Sequence, residues 1–189
     1  MIRVITGTAK NKKLLVPPDI TRPMTDRIKT SIFDLIREFV PKAKVLDLFA
    51  GSGALGIEAL SRGADTATFI DNNLKALQII IKNLETTQLS EKAEFKKVDV
   101  LKYLQKDNEN SGKYDLIFLD PPFKFTLEEK AQLVVLSANF LSSDGLLIFR
   151  FPKQENYAHT FTELVKVYEK NYGLSSVSFL KLKNAAILK

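Results

Sequence analysis

Short apolar runs alternate with longer stretches of helical periodicity along most of this chain. The runs have the length of buried strands and lie at residues 45–48, 66–70, 94–98, 114–119 and 146–149. Helices are predicted directly after a glycine-rich segment at 51–56, at about Asn73 to Glu85, and at about Leu127 to Asn139. Strands that alternate with helices indicate an α/β, Rossmann-like fold with a doubly wound, mostly parallel sheet.

Both ends of the chain depart from this alternation. At the amino terminus, residues 2–6 are predicted to pair with residues 13–16 across a turn at 7–11, and a helix capped by Thr25 is predicted to run to about Phe39. Its apolar side would carry Ile28, Ile32, Leu35, Ile36 and Phe39. At the carboxyl end, residues 164–172 and 177–182 flank Gly173 and predict an antiparallel hairpin at the sheet edge.

Length and composition predict one domain over 1–189, with 1–44 as an amino-terminal extension and 45–189 as the core. The chain has 189 residues, of which 45% are hydrophobic. There is no cysteine, so disulfides and thiolate metal sites are excluded, and the single histidine, His159, is interpreted as a surface or capping residue that cannot build a zinc site. Without an apolar signal core or a long apolar run, a soluble, cytoplasmic protein with no membrane segment is expected.

The net charge of +6 is unevenly distributed. Residues 1–44 carry ten Lys or Arg against four Asp or Glu, whereas residues 45–189 carry eighteen of each. The excess falls around the predicted hairpin, on Arg3, Lys10, Lys12 and Lys13. These four side chains are predicted to contact RNA phosphates. A solvated, lysine-rich turn fits the sequence of this segment equally well.

The glycine-rich segment follows a buried strand and predicts a cofactor loop. Gly51 and Gly53 can adopt backbone angles that are closed to other residues, so that a ligand can lie against the chain. Such glycines also suit a dinucleotide. Asp47 discriminates between the two, because a carboxylate suits the ammonium group of S-adenosylmethionine and is unfavourable beside a pyrophosphate.

Two further acids follow the next two predicted strands. Asp71 comes about twenty residues after the glycines and is placed to accept both ribose hydroxyls. Asp99 is placed to accept from the adenine amino group. Either acid, taken alone, is also typical of a helix cap or a loop. Since ligands bind at the carboxyl ends of parallel strands, the common placement of Asp47, Asp71, Asp99 and Asp120 favours a shared site.

The sequence Asp120-Pro121-Pro122-Phe123, directly after the strand at 114–119, predicts a site that presents an exocyclic amino group for methylation. The lone pair of such an amine is delocalised into the ring, so the amine must be held by acceptors. Asp120 and the carbonyl of Pro121 are suitable acceptors, the prolines stiffen the backbone, and Phe123 can stack on the base. The alternative is an Asp-Pro turn that ends a strand.

Taken together, the motifs resemble those of the RsmD-type methyltransferases, which act on guanine N2 of bacterial 16S ribosomal RNA. The resemblance covers nearly the whole chain and rests on RVITG at 3–7, KKL at 12–14, RPMTDR at 22–27 with Phe33, LDLFAGSGALGIEALSRGA at 46–64, and DPPF at 120–123. It implies a class I S-adenosylmethionine-dependent methyltransferase fold with a seven-stranded sheet. It also implies a monomer that needs no metal and acts on ribosomal RNA or the small ribosomal subunit.

The resemblance also implies residue roles. The cofactor-binding residues would be Arg22, Thr25, Asp47, Gly51, Ser52, Gly53, Asp71 and Asp99, with Arg22 and Thr25 lining the cofactor entrance. Asp120, Pro121 and Phe123 would hold the guanine. The chain departs from the family pattern at three positions: Asp71 stands where Glu is usual, Met24 where Thr is usual, and Arg150 where relatives often carry an acid.

Three other functions remain open from the sequence. DNA adenine-N6 methyltransferases use a similar Asp-Pro-Pro-aromatic motif, although 189 residues leave little room for their separate target-recognition region. Glutamine-N5 protein methyltransferases usually carry Asn in place of Asp120. A non-enzymatic RNA-binding or ribosome-assembly protein would bind the methyl donor without turnover.

Overall fold

A computed structural model describes residues 2–17, 24–106, 113–157 and 161–183 of the chain. The sequence predictions for Arg22 and for His159 lie outside these residues. The described strands form a mostly parallel seven-stranded sheet with an antiparallel carboxyl-terminal hairpin, as predicted, and a separate two-stranded hairpin. The chain divides into two compact units, residues 1–100 and 101–189. The single-domain assignment stays a prediction.

The first unit contains three parallel strands in the order β5-β4-β3. These are β3 (Lys44–Leu48), β4 (Thr66–Asp71) and β5 (Ala93–Lys97). Helix α2 (Ala54–Ser61) follows β3, and α3 (Leu74–Thr87) follows β4. A short 3-10 turn at Ser90–Lys92 precedes β5. The predicted alternation of strand and helix is confirmed here. All eight residues of α2 are buried, including the polar Glu58 and Ser61.

The amino-terminal elements of this unit are shorter than predicted. Strands β1 (Ile2–Arg3) and β2 (Lys13–Leu14) form the expected antiparallel hairpin, but β1 does not reach Thr6. The reason is that the amides of Ile5 and Thr6 donate to the carboxylate of Glu58. The predicted end of the helix capped by Thr25, at about Phe39, was also wrong, because this helix, α1, spans Asp26–Leu35. Its buried residues are Lys29, Ile32 and Phe33, while Leu35 and Phe39 are exposed.

The second unit contains four strands in the order β6-β7-β9-β8. They are β6 (Tyr114–Leu119), β7 (Leu141–Pro152), β8 (Leu164–Tyr172) and β9 (Ser175–Leu182). Strands β6 and β7 are parallel, and β9 pairs antiparallel with both β7 and β8, which confirms the predicted carboxyl-terminal hairpin. The helices are α4 (Val100–Gln105), which begins at the unit boundary, and α5 (Leu127–Ala138). Strand β7 extends the predicted run at 146–149 in both directions.

Candidate functional site

The loop between β3 and α2 has the unusual backbone that its glycines predict. Gly51 and Gly53 have φ of 58° and 74°, in the left-handed region that favours glycine. Phe49 also has a positive φ, 59°, which is rare for a bulky residue. The loop is held by the amide of Ala50, which donates to the carbonyl of Ile70 at 3.1 Å. The backbone at this turn is therefore fixed in a strained form beside the end of β4, a common property of ligand-binding loops.

Asp47 lies inside β3, one residue before its end, and is 2% exposed. One of its carboxylate oxygens, Oδ2, accepts from the amide of Gly56 at 2.9 Å. A Cβ at Gly56 would lie 2.3 Å from Cε1 of Phe69, so no larger residue fits there without a shift of that ring. In this arrangement Asp47 fastens the start of α2 to β3. Its predicted contact with the ammonium group of a cofactor stays a prediction.

Asp71 is the last residue of β4, as predicted, and its carboxylate joins two segments. Oδ2 accepts from the amide of Gly51 at 2.9 Å, and Oδ1 accepts from the amide of Asn73 at 2.8 Å. Because each carboxylate oxygen can accept two hydrogen bonds, each keeps one acceptor position. The predicted contact of Asp71 with two ribose hydroxyls stays a prediction.

The structure also describes three other residues of the first unit that were predicted to bind the cofactor: Thr25, Asp99 and Ser52. Thr25 is the N-cap of α1, with Oγ1 accepting from the amide of Ile28 at 3.4 Å. Asp99 is half-buried and directly precedes α4. Ser52 is buried in the glycine loop. Arg22 lies outside the described residues, so the predicted cofactor entrance formed by Arg22 and Thr25 stays a prediction.

Asn83 supports the glycine loop, and sequence reasoning missed it. Its Nδ2 donates to the carbonyls of Ser52 and Leu15, both at 2.9 Å, while its Oδ1 accepts from the amide of Leu15 at 2.8 Å. The side chain thereby joins the glycine loop to Leu15, which directly follows β2. The available signal was an amide on the buried side of α3, three residues after Ile80, where an apolar residue is expected.

The DPPF sequence leaves β6 and forms a tight turn before α5. Asp120 and Phe123 are half-buried, and Pro121 is buried. The amide of Phe125 donates to the carbonyl of Pro122 at 3.0 Å, which closes the turn. Within the described part of the chain, no donor reaches the carbonyl of Pro121. The role predicted for this oxygen, as an acceptor for a target amine, stays a prediction.

Lys130, on α5, holds this turn through hydrogen bonds, and sequence reasoning missed this residue as well. Its ammonium group is fully buried and donates to the carbonyls of Phe123 at 3.3 Å and Phe125 at 2.6 Å. It also binds Oε1 of Glu155 at 2.8 Å, and Glu155 accepts from the hydroxyl of Tyr157 at 2.6 Å. Burial, reinforced by Glu155, raises the pKa of Tyr157 well above its ordinary value. The sequence signal was a lysine three and four residues before the buried Leu133 and Val134.

Arg150 contacts two of the predicted target-site residues. Its Nε lies 2.7 Å from Oδ1 of Asp120, and its guanidinium carbon lies 5.2 Å from the centroid of the Phe123 ring. The residue that departs from the family pattern is therefore placed beside the motif that the sequence singled out. Within the second unit, it brings Asp120 and Phe123 into one cluster.

The predicted RNA-binding residues lie on the surface of the amino-terminal hairpin. All four are exposed, and Arg3 and Lys13 are cross-strand partners. Arg3 also forms an ion pair with Asp26, with Nε 3.4 Å from Oδ2. The hairpin is fastened to α2 through Glu58 and through Ser61, whose hydroxyl donates to the carbonyl of Thr6 at 2.7 Å. The four cationic side chains are thus carried on a supported segment, and their contact with RNA stays a prediction.

No helix among the described residues is long and apolar enough to cross a membrane. In the same ranges, no three Asp, Glu or His side chains are grouped as a metal site would require.

Comparison with known proteins places this chain among methyltransferases. A sequence model of the family described as conserved hypothetical protein 95 matches residues 2–181. A Bacillus subtilis (strain 168) protein, named "Putative rRNA methyltransferase YlbH", is 35% identical over 95% of this chain and 98% of its own length. The Escherichia coli (strain K12) "Ribosomal RNA small subunit methyltransferase D" is 36% identical over 82% of this chain and 76% of its own length.

A solved Escherichia coli structure titled "Putative methyltransferase yhhF" has the same fold. It superposes with a TM-score of 0.83 and 31% identity, over 96% of this chain and 97% of that one. The predicted class I methyltransferase fold is therefore confirmed.

Proposed function

Because the chain belongs to the family described as conserved hypothetical protein 95, the RsmD family, we propose that it transfers a methyl group from S-adenosylmethionine to the N2 amine of a guanine in small-subunit ribosomal RNA. The observation that carries this proposal is the match to a named small-subunit ribosomal RNA methyltransferase over 82% of the chain. The proposal includes a cytoplasmic, monomeric enzyme that acts on ribosomal RNA or on the assembled small subunit.

The cofactor belongs, in this proposal, to the loop between β3 and α2. The residues present fit it: the positive φ of Gly51 and Gly53 opens the backbone to close approach, and Asp71 keeps one acceptor position on each oxygen. Asp71 would accept from the ribose hydroxyls and Asp99 from the adenine amino group. Asp47 would face the ammonium group, and Ser52 would contribute to the loop backbone. Arg22 and Thr25 would line the entrance.

The target base belongs to the turn at 120–123. Asp120 would accept one N–H of the amine, and the carbonyl of Pro121 would accept the other, which orients the nitrogen lone pair. Phe123 would stack on the base. A base in a duplex cannot reach such acceptors, so the target nucleotide must be in a loop or flipped out.

Bound S-adenosylmethionine would supply an electrophilic methyl group on a sulfonium, and it would leave as S-adenosylhomocysteine when the bond between sulfur and methyl breaks. The contribution of the chain is mainly positioning: Asp120 and Pro121 hold the amine for in-line attack. Asp120 need not be a strong base, because the amine becomes acidic as the new bond forms and then loses its proton to Asp120 or to water. The chain has no cysteine, so the route through a cysteine adduct is excluded. No metal and no covalent enzyme intermediate are part of the proposal.

The RNA contact is assigned to Arg3, Lys10, Lys12 and Lys13 on the exposed surface of the hairpin. Their charge provides affinity that does not depend on base sequence and falls with salt. Selectivity for a particular structural context would then come from the turn at 120–123, which can receive only an unstacked base.

The proposal is tested by transfer of labelled methyl from S-adenosylmethionine to four acceptors in parallel: unmodified small subunits, free small-subunit ribosomal RNA, DNA and a total protein extract. The labelled product is then digested and identified. N2-methylguanine in either RNA arm supports the proposal, whereas labelled N6-methyladenine in DNA or N5-methylglutamine in protein contradicts it. Cofactor binding without any labelled product indicates an assembly protein.

Two variants separate the two ligands. Asp120→Ala should lower the transfer rate by about 30-fold to 1,000-fold, since one positioned acceptor contributes roughly 2 to 4 kcal/mol to the barrier. Its affinity for S-adenosylmethionine should stay unchanged. Asp71→Ala should weaken cofactor binding by roughly 1 to 3 kcal/mol, because the charged acceptor is removed. Calorimetry with S-adenosylmethionine measures both affinities, and full activity of Asp120→Ala would contradict the assignment of the target site.

A further inference from the structure

Arg150 occupies a defined place in β7, next to the end of β6. The parallel register pairs Leu119 with Phe149, so the next residues, Asp120 directly after β6 and Arg150 within β7, lie at the same level. On its other side, Arg150 pairs with Val177 of β9. Because neighbouring residues of a strand point to opposite faces, Arg150 faces away from the buried rings of Phe149 and Phe151. Its backbone is therefore held by β9 on one side and follows the last residue paired with β6 on the other.

The pair with Asp120 is well shielded. Nε of Arg150 lies 2.7 Å from Oδ1 of Asp120, and the two side chains are only 12% and 19% exposed. Such a short, charge-assisted hydrogen bond in a partly buried position is stronger than a surface ion pair. It fixes one carboxylate oxygen and leaves Oδ2 to meet a target amine.

The same guanidinium group also lies over the Phe123 ring, with its carbon 5.2 Å from the ring centroid. This distance is within the range of a cation–π interaction. One planar side chain therefore contacts both the acceptor and the stacking surface of the proposed target site. Free rotation of Asp120 or Phe123 would have to cease when the base binds, and Arg150 removes that freedom beforehand.

We propose that Arg150 is a positioning residue that fixes the Asp120 carboxylate and the Phe123 ring in the geometry that receives the target base. This inference rests on the proposed function. It assigns to this chain a support for the target site at a position where the family pattern usually has an acid. The residue does not touch the reacting atoms; it acts through Asp120 and Phe123.

The test uses steady-state methyl transfer to the best RNA substrate by the wild type, Arg150→Ala and Arg150→Lys. Arg150→Ala should lower kcat by about 10-fold to 100-fold, because a misplaced acceptor costs rate more than binding. The KM for RNA should change much less, and the Kd for S-adenosylmethionine should not change. Arg150→Lys should recover little, since an ammonium group restores the charge but not the planar group that spans Asp120 and Phe123.

Chemical rescue distinguishes positioning from general stability. Added methylguanidinium should restore part of the missing rate in Arg150→Ala, and it should not accelerate the wild type or Asp120→Ala. Lys170→Ala is the matched control, because it removes a cation 5.7 Å from the ring centroid of Tyr172 on β8, two strands from Arg150. Its kcat should equal that of the wild type.

Each alternative outcome has a distinct meaning. An unchanged kcat in Arg150→Ala, or a reduced kcat that methylguanidinium does not rescue, overturns the inference alone. A higher kcat or a lower KM also overturns it, because Arg150 would then compete with the target base. If the wild type transfers no methyl group to RNA, the proposed function fails and this inference fails with it.

Discussion

In the part of the chain that the structure describes, each unit has one buried lysine, and the two lysines are paired differently. Lys29 binds Oε2 of Glu58 at 3.1 Å, and both side chains are fully buried. Lys130 binds Glu155 at 2.8 Å, but Glu155 is 18% exposed. Lys29 also donates to the carbonyl of Arg3 in the amino-terminal hairpin, whereas Lys130 donates to the carbonyls of Phe123 and Phe125 in the segment between β6 and α5.

This difference in exposure determines which property of the protein changes when one member of either ion pair is removed. Glu58 is fully buried and satisfies Lys29, Arg62 and two backbone amides at once. Burial lowers the pKa of Lys29, and Glu58 opposes that effect. Glu155 can be hydrated when Lys130 is absent. We therefore expect the first cluster to support mainly the stability of the fold, and the second to support mainly the geometry of the target turn.

The largest effect on stability is expected from Glu58→Ala. Removal of this carboxylate leaves a buried cation without its counter-ion and two amides without an acceptor, which should lower the free energy of unfolding by about 3 to 5 kcal/mol. Urea denaturation measures this. Glu38→Ala is the matched control, because Glu38 and its partner Arg37 are both exposed, and its effect should stay within about 0.5 kcal/mol. Similar values for the two variants would show that the buried cluster contributes no more than a surface pair.

Lys130→Met should have a smaller effect on stability and a clear effect on catalysis. The carbonyls of Phe123 and Phe125 lose their donor, which should cost about 1 to 3 kcal/mol of unfolding free energy. Because the turn is released, kcat for methyl transfer should fall while cofactor affinity is retained. Lys124→Met changes an exposed lysine of the same turn and should alter neither quantity. A stable but fully active Lys130→Met would contradict the role given to this anchor.

The variant Tyr157→Phe tests the cluster around Glu155 through the pH dependence of the free energy of unfolding. Burial and Glu155 raise the pKa of Tyr157 in the folded state, so above about pH 10 the unfolded chain loses this proton while the folded chain keeps it. The stabilising contribution is complete below about pH 10 and declines above it, by about 1 kcal/mol at about pH 11. Urea denaturation at about pH 8 and about pH 11 should show a steeper loss of stability for the wild type than for Tyr157→Phe. Parallel losses would mean that Tyr157 ionises normally.

The smallest effect on stability is expected when Lys10, Lys12 and Lys13 are replaced together by Ala. All three are exposed, so the free energy of unfolding should stay within about 0.5 kcal/mol. RNA binding, in contrast, should weaken, and its log–log salt slope should flatten by up to about 0.7 to 0.9 for each phosphate that the hairpin no longer neutralises. Cofactor affinity is the control. An unaltered slope would locate the RNA surface elsewhere.

The fold was largely predictable because its signals are local. The runs that became β3, β4 and β6 are apolar and end at Asp or close to one, and α5 begins with a capping box formed by Thr126 and Glu129. One error, the length of β1, arose where a distant residue takes over local hydrogen bonds. Glu58 binds the amides that would have extended β1, and no local pattern indicates a partner so far along the chain.

The site was predictable in its motifs but not in its supports. DPPF and the glycine loop carry recognisable patterns, and the structure places Asp71 against Gly51 as the turn requires. Asn83, Lys130 and Arg150 are isolated polar residues whose roles depend on tertiary contacts. A single polar residue at a buried position has many explanations, so only the distances to Ser52, Phe123 and Asp120 distinguish among them.

Gly7 allows the amino-terminal hairpin to pack against α2, a helix that is synthesised after the hairpin. A Cβ at this residue would lie 1.8 Å from the carbonyl oxygen of Ser61, so the hairpin tip fits against α2 only because glycine stands there. The partners of this first segment, Glu58 and Ser61, lie 52 to 55 residues later in the sequence. On a translating ribosome, the hairpin therefore emerges before α2 and cannot make these contacts until α2 has emerged. The proposed RNA-binding surface of this protein is synthesised before the helix that holds it in place.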